Sequence, residues 1–417
     1  MNILARPRRP RIALVLNRFW PEVGGAETNL YFQAVELARH YDVTVFTPKR
    51  LADELDDEQH RGFRIRRLKD WLNRGRKFPN LAAKTFMPGL ALELLRGRFD
   101  VIQAFPSVNH NSLLAFLVSR IKRTPFLLCS FDFLDYAGLI RESGGKLDVD
   151  LISRYVPTRR EALVLRHADH LFAISQRELA FFRRYNSRAS YSPVPVLTDE
   201  YVGKIESPRA ARGIGKDEFV FLCLGRVSEI KGQDIAVEAF IRISDQAPDS
   251  RLVIVGRCDY EEGYASAIRA RIEAAGLTKR VTFTGMVDRP EVIGWLAHAN
   301  AHVIPVRFMN SGAVVAETWA AGSVVVQSDA VDPNYVVDGD NGFLFQSGSA
   351  EAAARSMLEA YRARDRLAPM AARGREFVLR HLTYERLAEI YDEVYREVAP
   401  GAFGAHSSVG PAVASPP

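Results

Sequence analysis

Two cations and a glycine follow an apolar run in the second half of the chain, at a spacing that suits anion binding. Residues 219–224 are apolar, Gly225-Arg226 follows them directly, and Lys231 stands just before a helical pattern that begins near Gln233. The glycine lets the backbone approach a ligand, and a helix N-terminus adds free N–H groups and partial positive charge to the two side-chain charges. The motif is not a P-loop, because it lacks the Gly-Lys-Ser/Thr ending. Alone, it more often marks a turn with two solvated cations.

A second glycine opens a helical pattern after another apolar run, at residues 301–306. Gly312-Ala313 begins this pattern, and Glu317 lies five residues after Gly312, about one and a half helical turns along. Open α/β sheets bind ligands at the carboxyl ends of their strands. A carboxylate at this position can accept two hydrogen bonds from a ribose diol. A glutamate within a helix is more often solvated, so the residues alone leave both interpretations of Glu317 open.

Short apolar runs alternate with helical patterns, as parallel strands joined by right-handed crossovers require. Strands are predicted in the first half at 11–17, 43–47, 100–105, 125–131 and 170–175. Strands are predicted in the second half at 219–224, 251–255, 280–284, 301–306 and 323–327. Helices are predicted at 26–40, 80–97, 109–122, 233–244, 264–275, 289–299 and 313–321. The expected fold class is α/β, with two Rossmann-like domains.

The length also predicts two domains, since a single core normally organises no more than roughly 250 to 300 residues. A polar segment with Pro and Gly at 198–217 marks the linker. We therefore predict domains at 1–205 and 206–383, a last helix at 384–398 that has no strand after it, and a disordered tail at 399–417 that lacks any periodicity.

The positive charge of the chain belongs to its first half. Residues 1–205 hold 33 Lys and Arg against 22 Asp and Glu, and residues 206–417 hold 23 against 28, so the halves carry +11 and −5. A basic half suggests an anionic partner, and a merely solvated basic face fits equally well. Cys129, Cys223 and Cys258 are widely spaced in apolar runs, which indicates buried thiols in a reducing cytoplasm. We expect no signal peptide and no membrane span.

Five motifs in order resemble the large family 4 of retaining glycosyltransferases. They are Gly24-Gly25-Ala26-Glu27, Gly225-Arg226 with Lys231-Gly232, Gly285-Met286-Val287, Gly312 with Glu317 and Gly322, and Asn341-Gly342-Phe343. The similarity spans roughly residues 11–397. It implies a GT-B fold, in which two Rossmann-like domains face each other across a cleft and the C-terminal helix crosses back to the first. The first domain takes the acceptor in this family, and the second binds the donor nucleotide.

The resemblance also implies a role for each matching residue. Arg226 and Lys231 would hold the donor diphosphate and neutralise the charge that grows on it as the glycosyl bond breaks. Glu317 would hold the ribose hydroxyls, and the backbone at Val287 would face the base. The remaining donor-binding positions are Gly24, Gly25, Gly225, Gly312 and Ala313. The resemblance implies a nucleotide diphosphate sugar as co-substrate, with no cofactor and no metal ion, since the two cations supply the charge.

Two positions depart from the family pattern. A carboxylate that contacts the donor sugar usually lies eight positions before the ribose-binding glutamate, and Met309 stands there. A histidine often follows the strand predicted at 125–131, but the matching residue is Phe131, followed by Asp132. Asp132 either substitutes for that histidine or is a structural residue at the strand end.

The expected activity is transfer of a sugar from a nucleotide diphosphate sugar to an acceptor hydroxyl with retention, in cell-surface polysaccharide or glycolipid assembly. Two other functions stay open. One is a non-catalytic homologue that binds nucleotide sugar, which Met309 and Phe131 motivate. The other is a nucleotide-sugar epimerase on the same fold. We expect no nucleic-acid partner, because no nucleic-acid-binding module is recognisable in the sequence.

Basic, partly apolar stretches suggest where the protein works. They lie at residues 61–67, 74–78 and 181–184. Each Lys or Arg near an anionic surface contributes about 1 kcal/mol, so a few on one face suffice for reversible attachment. We therefore expect a cytoplasmic protein that docks peripherally on the membrane, where the acceptor would be a lipid-linked saccharide.

Overall fold

The computed structural model describes residues 8–21, 25–51, 53–72, 85–130, 155–309 and 311–403. The chain divides into two compact units. The first consists of the chain up to Pro193 together with the segment that starts at Tyr384, and the second is Val194–Thr383. Each unit has its own parallel or mostly parallel sheet flanked by helices. This confirms the predicted α/β fold class with two Rossmann-like domains.

The first unit contains an eight-stranded sheet. Its strands are β1 Arg11–Val15, β2 Asp42–Pro48, β3 Asp57–His60, β4 Phe63–Leu68, β5 Val101–Ala104, β6 Phe126–Cys129, β7 His170–Ala173 and β8 Ala189–Tyr191. Its first five helices are α1 Gly25–His40, α2 Gly89–Arg96, α3 His110–Lys122, α4 Arg159–His167 and α5 Gln176–Arg183. The strand order is β3-β4-β2-β1-β5-β6-β7-β8, and all neighbours are parallel except β3 and β4.

The five strands predicted for this half are present, with ends within two residues of those predicted. The basic stretch at 61–67 was expected to be a docking segment, but it includes most of β4. Phe63, Ile65 and Arg67 alternate onto the buried face of that strand, and Arg67 is tolerated there because its guanidinium lies 2.7 Å from the carboxylate of Glu58. The helix predicted at 80–97 begins later among the described residues, at Gly89, because Pro88 disfavours helical backbone at the residue before it.

The last long helix, α12 at Tyr384–Val398, belongs to the core of the first unit. The hydroxyl of its buried Tyr395 donates a hydrogen bond of 2.5 Å to Oε1 of Gln103 on β5. A short helix, α13 at Pro400–Phe403, follows. The disordered tail predicted from residue 399 is therefore wrong for residues 400–403, because Phe403 packs against Tyr41 and Tyr395. The rest of that tail lies outside the described residues.

The second unit contains a six-stranded parallel sheet. Its strands are β9 Phe219–Leu224, β10 Ser250–Val255, β11 Val281–Gly285, β12 Ala301–Ile304, β13 Val324–Ser328 and β14 Gly342–Phe345. Its helices are α6 Gln233–Ile243, α7 Glu262–Ala274, α8 Arg289–His298, α9 Ala313–Ala320, α10 Ala350–Arg362 and α11 Arg364–His381. The strand order is β11-β10-β9-β12-β13-β14. Strands β9 to β11 therefore form one half of the sheet and β12 to β14 the other, and the direction in which successive strands are added reverses between β9 and β12.

Candidate functional site

The point where the strand order reverses, between β9 and β12, brings the two sequence motifs together. The loop after β9 carries Gly225, Arg226 and Lys231, and the segment after β12 leads through Met309 to α9. A cavity of about 220 Å³ lies between them, and its lining includes Gly225, Lys231, Met309 and Val314. Such a switch point is where open α/β sheets bind their ligands. The structure therefore gathers at one pocket residues that the sequence placed in two separate motifs.

Glycines allow the close approach of backbones at this edge of the sheet. Gly232 has a φ of +68°, and a Cβ added to it would lie 2.0 Å from the carbonyl oxygen of Pro305. Gly256 has a φ of +143°, and its Cβ would lie 2.0 Å from the carbonyl oxygen of Gly225. Any side chain at either position would push the loop after β9 away from its neighbours. The loop is thus held in one position by the strands beside it.

Side chains fix the same loop from within. Gln233, which is fully buried, accepts a hydrogen bond from the N–H of Ser228 at 3.2 Å and donates one to the carbonyl of Arg226 at 3.0 Å. The side chain of Arg307 donates to the carbonyl of Glu229 at 2.7 Å. These contacts leave little freedom to the segment that carries Arg226 and Lys231.

Arg307 is itself held by a carboxylate. Its guanidinium donates to both oxygens of Asp234 at 2.8 and 2.6 Å, and the hydroxyl of Tyr264 donates to Asp234 at 2.6 Å. Burial acts to raise the pKa of Asp234, but the hydrogen bonds from Arg307 and Tyr264 outweigh it and hold that pKa below its usual range. The carboxylate therefore stays charged. This triad of Asp234, Tyr264 and Arg307 was not predicted from the sequence.

The two predicted cations differ in their surroundings. Arg226 is exposed, and its guanidinium carbon lies 4.5 Å from the centroid of the Tyr260 ring. No carboxylate among the described residues pairs with it. Lys231 is half-buried and lines the cavity. Burial raises the pKa of the neighbouring Cys223 thiol to about 12, although the charge of Lys231 opposes this rise. The pocket thus offers positive charge beside a thiol that stays neutral.

A buried histidine connects the two sides of the pocket. The N–H of Leu224 donates to Nε2 of His302 at 3.3 Å, so the proton of the neutral ring is on Nδ1, which lies 2.7 Å from Oγ1 of Thr318. Burial lowers the pKa of His302 to about 3. Thr318 in turn donates to the carbonyl of Val314 at 2.7 Å. The end of β9, the strand β12 and the helix α9 are therefore joined by one chain of hydrogen bonds.

Glu317 is not a solvated surface glutamate. A guanidinium nitrogen of Arg289 lies 2.8 Å from its Oε1, and the buried hydroxyl of Tyr201 donates to the same oxygen at 3.3 Å. Arg289 also donates to Glu200 at 2.6 Å. Burial and the charge of Glu317 raise the pKa of Tyr201, which keeps its hydroxyl protonated as a donor. The predicted ribose ligand is thus oriented by two partners that sequence reasoning missed.

The other predicted positions of this unit lie around the same edge. Gly312 is buried at the N-cap of α9, where an added Cβ would lie 2.5 Å from the Tyr335 ring. Ala313 is the first residue of α9, and its N–H donates to Ser311. Val287 is half-buried between β11 and α8, two residues before Arg289. The structure therefore places all three at the carboxyl-terminal edge of the sheet.

Met309 lines the cavity where the family pattern has a carboxylate. Its backbone is tied on both sides: its N–H donates to Ala330 at 3.3 Å, and its carbonyl accepts from Asp332 at 2.9 Å. The backbone position is thus well fixed, and the side chain that it supplies to the pocket is apolar.

The remaining predicted positions belong to the first unit. Gly25 begins α1, and no described atom lies within 4 Å of a Cβ built on it. Three others, Gly24, Phe131 and Asp132, lie outside the described residues. The structure thus describes the predicted sugar contacts of the first unit only at Gly25.

Two of the basic stretches that were predicted to dock on a membrane have partners within the first unit. Both Arg64 and Arg66 pair with Asp57, and Arg66 also pairs with Glu93 at 2.7 Å. The two phenylalanines of the stretch at 181–184 are buried in the fold. The stretch at 74–78 lies outside the described residues. Ion pairing and core packing, which the residue types alone do not reveal, thus engage parts of these two stretches, and docking through them stays a prediction.

Neither a membrane span nor a metal cluster stands out in the described ranges. Every helix there is too short or too polar to cross a bilayer. Those ranges also hold no group of three or more His, Cys, Asp or Glu side chains that could bind a metal ion.

Comparison with known proteins identifies two family matches. Residues 24–196 match the model described as the glycosyl transferase 4-like domain, and residues 218–363 match that of the glycosyl transferases group 1. The two matched regions together cover most of the chain, and each contains motifs on which the sequence resemblance rested.

Individual relatives agree with these matches. A D-inositol 3-phosphate glycosyltransferase of Jonesia denitrificans is 30% identical over 127 residues, which are 30% of this chain and 30% of that protein. The chain thus aligns with less than a third of that relative's length. A GDP-mannose-dependent alpha-(1-6)-phosphatidylinositol monomannoside mannosyltransferase of Mycolicibacterium smegmatis is 25% identical over 405 residues, or 90% of this chain and 97% of that protein.

The fold also matches solved structures. The crystal structure of Anabaena HepE in complex with UDP superimposes with a TM-score of 0.70 at 20% sequence identity, over 93% of this chain and all of that one. At this identity the likeness concerns the fold alone.

Proposed function

This chain belongs to the group 1 glycosyl transferases, the family 4 of retaining enzymes with the GT-B fold, and we propose that it transfers a sugar from a nucleotide diphosphate sugar to an acceptor hydroxyl with retention at the anomeric carbon. The observation that carries the proposal is the pocket at the switch point between β9 and β12, which has Lys231 in its lining and Arg226 on the adjoining loop. Two cations at a preformed pocket suit a diphosphate.

In the proposed reaction, the bond between the anomeric carbon and the diphosphate oxygen breaks, and its electrons pass to that oxygen. The acceptor oxygen bonds to the same carbon on the face that the diphosphate leaves, and the acceptor proton moves to a phosphate oxygen. Arg226 and Lys231 would stabilise the growing charge on the diphosphate. Fixed cations lower a barrier most where charge develops. The contacts of Gln233 and Arg307 support this role, because a fixed loop needs no rearrangement as the charge appears.

The nucleoside would be held by the far side of the pocket. Oε1 of Glu317 is engaged by Arg289 and Tyr201, whereas Oε2 has no hydrogen-bond partner in the described part of the chain. That oxygen is therefore available to a ribose hydroxyl. We assign the backbone of Val287 to the base, and Gly225, Gly312 and Ala313 to the close approach of the phosphates. Gly25, together with Gly24, would contact the donor from the first unit.

The family and Met309 suggest which donor and acceptor to test. The long match to a GDP-mannose-dependent enzyme makes GDP-mannose the first donor to test, with UDP-glucose as the second. A saccharide carried on a lipid is the proposed acceptor, bound by the first unit on the cytoplasmic face of a membrane. The apolar Met309 in the cavity lining favours a donor sugar with fewer hydroxyls at that point. It also motivates a second candidate, a non-catalytic homologue that binds nucleotide sugar.

The experiment is an incubation of the purified protein with a panel of labelled nucleotide sugars, with and without a lipid extract and with and without a metal chelator. We expect one donor to be hydrolysed slowly or transferred. Its rate should be the same with and without the chelator, because Arg226 and Lys231 would supply the positive charge that a metal ion supplies elsewhere. The double variant Arg226→Ala/Lys231→Ala is the control and should be inactive. Tight nucleotide binding without turnover of any donor would contradict transfer and support the non-catalytic homologue. An interconversion of two nucleotide sugars without release of nucleotide would indicate an epimerase.

A further inference from the structure

Two neighbouring helices of the first unit expose aliphatic side chains to solvent. Helix α2 buries Leu90 and Leu94 completely, whereas Leu92 and Leu95 are 48% and 44% exposed. The helix thus has an inner face in the core and an outer face that is also apolar. An outer helix face in a soluble domain is normally polar, so these two leucines require a reason other than the core.

Helix α3 repeats this pattern. Leu117 is 45% exposed and Ile121, one turn later on the same face, is 72% exposed. The inner face of the helix carries Ala115, Phe116 and Val118, all of which are buried. The four exposed aliphatic residues of the two helices are called here the α2–α3 surface: Leu92, Leu95, Leu117 and Ile121.

The two helices are joined at their carboxyl ends. Lys122, next to Ile121, donates from Nζ to the carbonyls of Leu94 at 2.9 Å and Leu95 at 3.1 Å. The last turn of α3 therefore lies against the last turn of α2. Leu95 and Ile121 both belong to these two turns and lie at the same end of the unit.

Unpaired cations surround this end. Arg96, Arg98 and Arg123 are exposed, and none of them pairs with a carboxylate within the described ranges. The nearby acids are already engaged: Glu93 pairs with Arg66, and Asp169 pairs with Arg120. The charge of the surface is therefore positive. Protein interfaces are enriched in aromatic residues at their centres, and all four residues of the α2–α3 surface are aliphatic. Aliphatic side chains bordered by arginines instead suit the boundary between lipid headgroups and acyl chains.

We propose that the α2–α3 surface docks this protein on an anionic lipid bilayer. The four aliphatic side chains enter the headgroup region, and Arg96, Arg98 and Arg123 contact lipid phosphates. The biological reason for docking rests on the proposed function, since a lipid-linked acceptor lies in the bilayer, but docking itself requires no turnover. This surface takes the place of the basic stretch at 61–67, in which Arg64, Arg66 and Arg67 are paired within the fold.

The test is co-sedimentation of the full chain with vesicles of phosphatidylcholine containing increasing phosphatidylglycerol, at low and high salt. We expect binding that grows with the anionic lipid and falls with salt. The double variant Leu117→Glu/Ile121→Glu should bind at least ten-fold more weakly. The variant Arg98→Ala/Arg123→Ala should bind the vesicles about 25-fold more weakly, since each cation near the membrane surface contributes about a five-fold factor to the binding constant. The matched control is Leu379→Glu, which changes a leucine of the second unit that is 52% exposed.

Thermal melting establishes that each variant is folded, and hydrolysis of the nucleotide sugar in the absence of lipid should be the same in all of them. Equal vesicle binding by the wild type and Leu117→Glu/Ile121→Glu would overturn the proposal, as would a wild type that does not bind at low salt. A wild type that is a dimer by light scattering and binds no vesicles, with a monomeric Leu117→Glu/Ile121→Glu variant, would show a self-association surface instead. Vesicle binding without any turnover would contradict the transferase proposal and leave the docking surface supported.

Discussion

Arg289 lies with its guanidinium 2.8 Å from Oε1 of Glu317, and this pair joins the start of α8 to the middle of α9. Tyr201 donates to the same oxygen at 3.3 Å. The protein therefore engages one carboxylate oxygen of the glutamate, and in the proposed function the other would bind a ribose hydroxyl. In the proposed function Arg289 would be a positioning residue, because it would act on the nucleoside through Glu317.

This relationship predicts a specific non-additivity. We expect Glu317→Gln to weaken the binding of nucleoside diphosphates by about ten-fold, since a hydrogen bond to a charged group is worth about 1.5 kcal/mol or more, and to change kcat less than KM. Arg289→Ala should weaken binding too, but Arg289→Ala/Glu317→Gln should be no weaker than Glu317→Gln alone. Calorimetric titration with nucleoside diphosphates measures all three variants.

The control for this cycle is Arg212→Ala, which removes a comparable arginine of the same unit that pairs with Glu291 at 2.8 Å. Its nucleotide affinity should equal that of the wild type. Independent, additive losses in the double variant would show that Arg289 contacts the nucleotide directly. Unchanged affinity in Glu317→Gln would mean that this glutamate only stabilises the fold.

The second prediction concerns the missing carboxylate at Met309. The backbone of this residue is fixed by Ala330 and Asp332, so a glutamate introduced there would project into the same cavity. We expect Met309→Glu to raise hydrolysis or transfer with a common hexose donor, because the new carboxylate can accept hydrogen bonds from sugar hydroxyls. Met309→Gln, which has a similar size without the charge, is the control. An unchanged rate in Met309→Glu across the donor panel would favour the non-catalytic homologue.

The third prediction concerns the stability of the second unit at low pH. His302 has a pKa of about 3 in the folded chain, against an ordinary value of 6.5. Between these two values the unfolded chain binds a proton that the folded chain does not, so the free energy of unfolding falls as the pH drops. We expect a loss of about 1 to 2 kcal/mol from His302 between pH 7 and 5.

Urea unfolding at several pH values checks this prediction. In His302→Gln the pH dependence of the second unit should be smaller, even though the variant is less stable at pH 7. His170 of the first unit is the comparison, because burial lowers its pKa to about 4 as well. His170→Gln should change the pH dependence of the unfolding free energy of the first unit and leave that of the second unit as it is in the wild type. If the unfolding free energy of the second unit depends on pH in the same way in His302→Gln and in the wild type, the assignment of a neutral, buried ring is contradicted.

The sequence was sufficient to predict the strands that position the pocket. Periodicity locates β9 and β12, and the rule that parallel strands present their carboxyl ends at one edge then brings Gly225 and Gly312 to that edge. Glu317 could be named as a ligand only because the order of motifs resembles a family. His302 is a polar residue within an apolar strand, and this unused local signal could have indicated a buried hydrogen-bond network.

Other features could not be predicted, because they depend on contacts between distant parts of the chain. Arg307 and Asp234 are 73 residues apart in sequence and meet only in the folded unit. Similarly, 88 residues separate Arg289 from Tyr201. The strand β4 was missed because an arginine occupies its buried face, where only the pairing with Glu58 makes the charge acceptable.

In the proposed function, Arg226 and Lys231 would hold the donor diphosphate and stabilise its charge during transfer. The most direct test is the kcat/KM of Arg226→Ala and Lys231→Ala with the donor that the panel identifies. Arg257→Ala is the control, since it removes an exposed arginine that follows β10 and pairs with Asp259. We predict that kcat/KM falls about 10-fold to 150-fold in each of the two variants, equivalent to about 1.5 to 3 kcal/mol for a charge-assisted contact. Their melting temperatures should not change, and kcat/KM of Arg257→Ala should equal that of the wild type. Near-normal kcat/KM in both variants would contradict this role of Arg226 and Lys231.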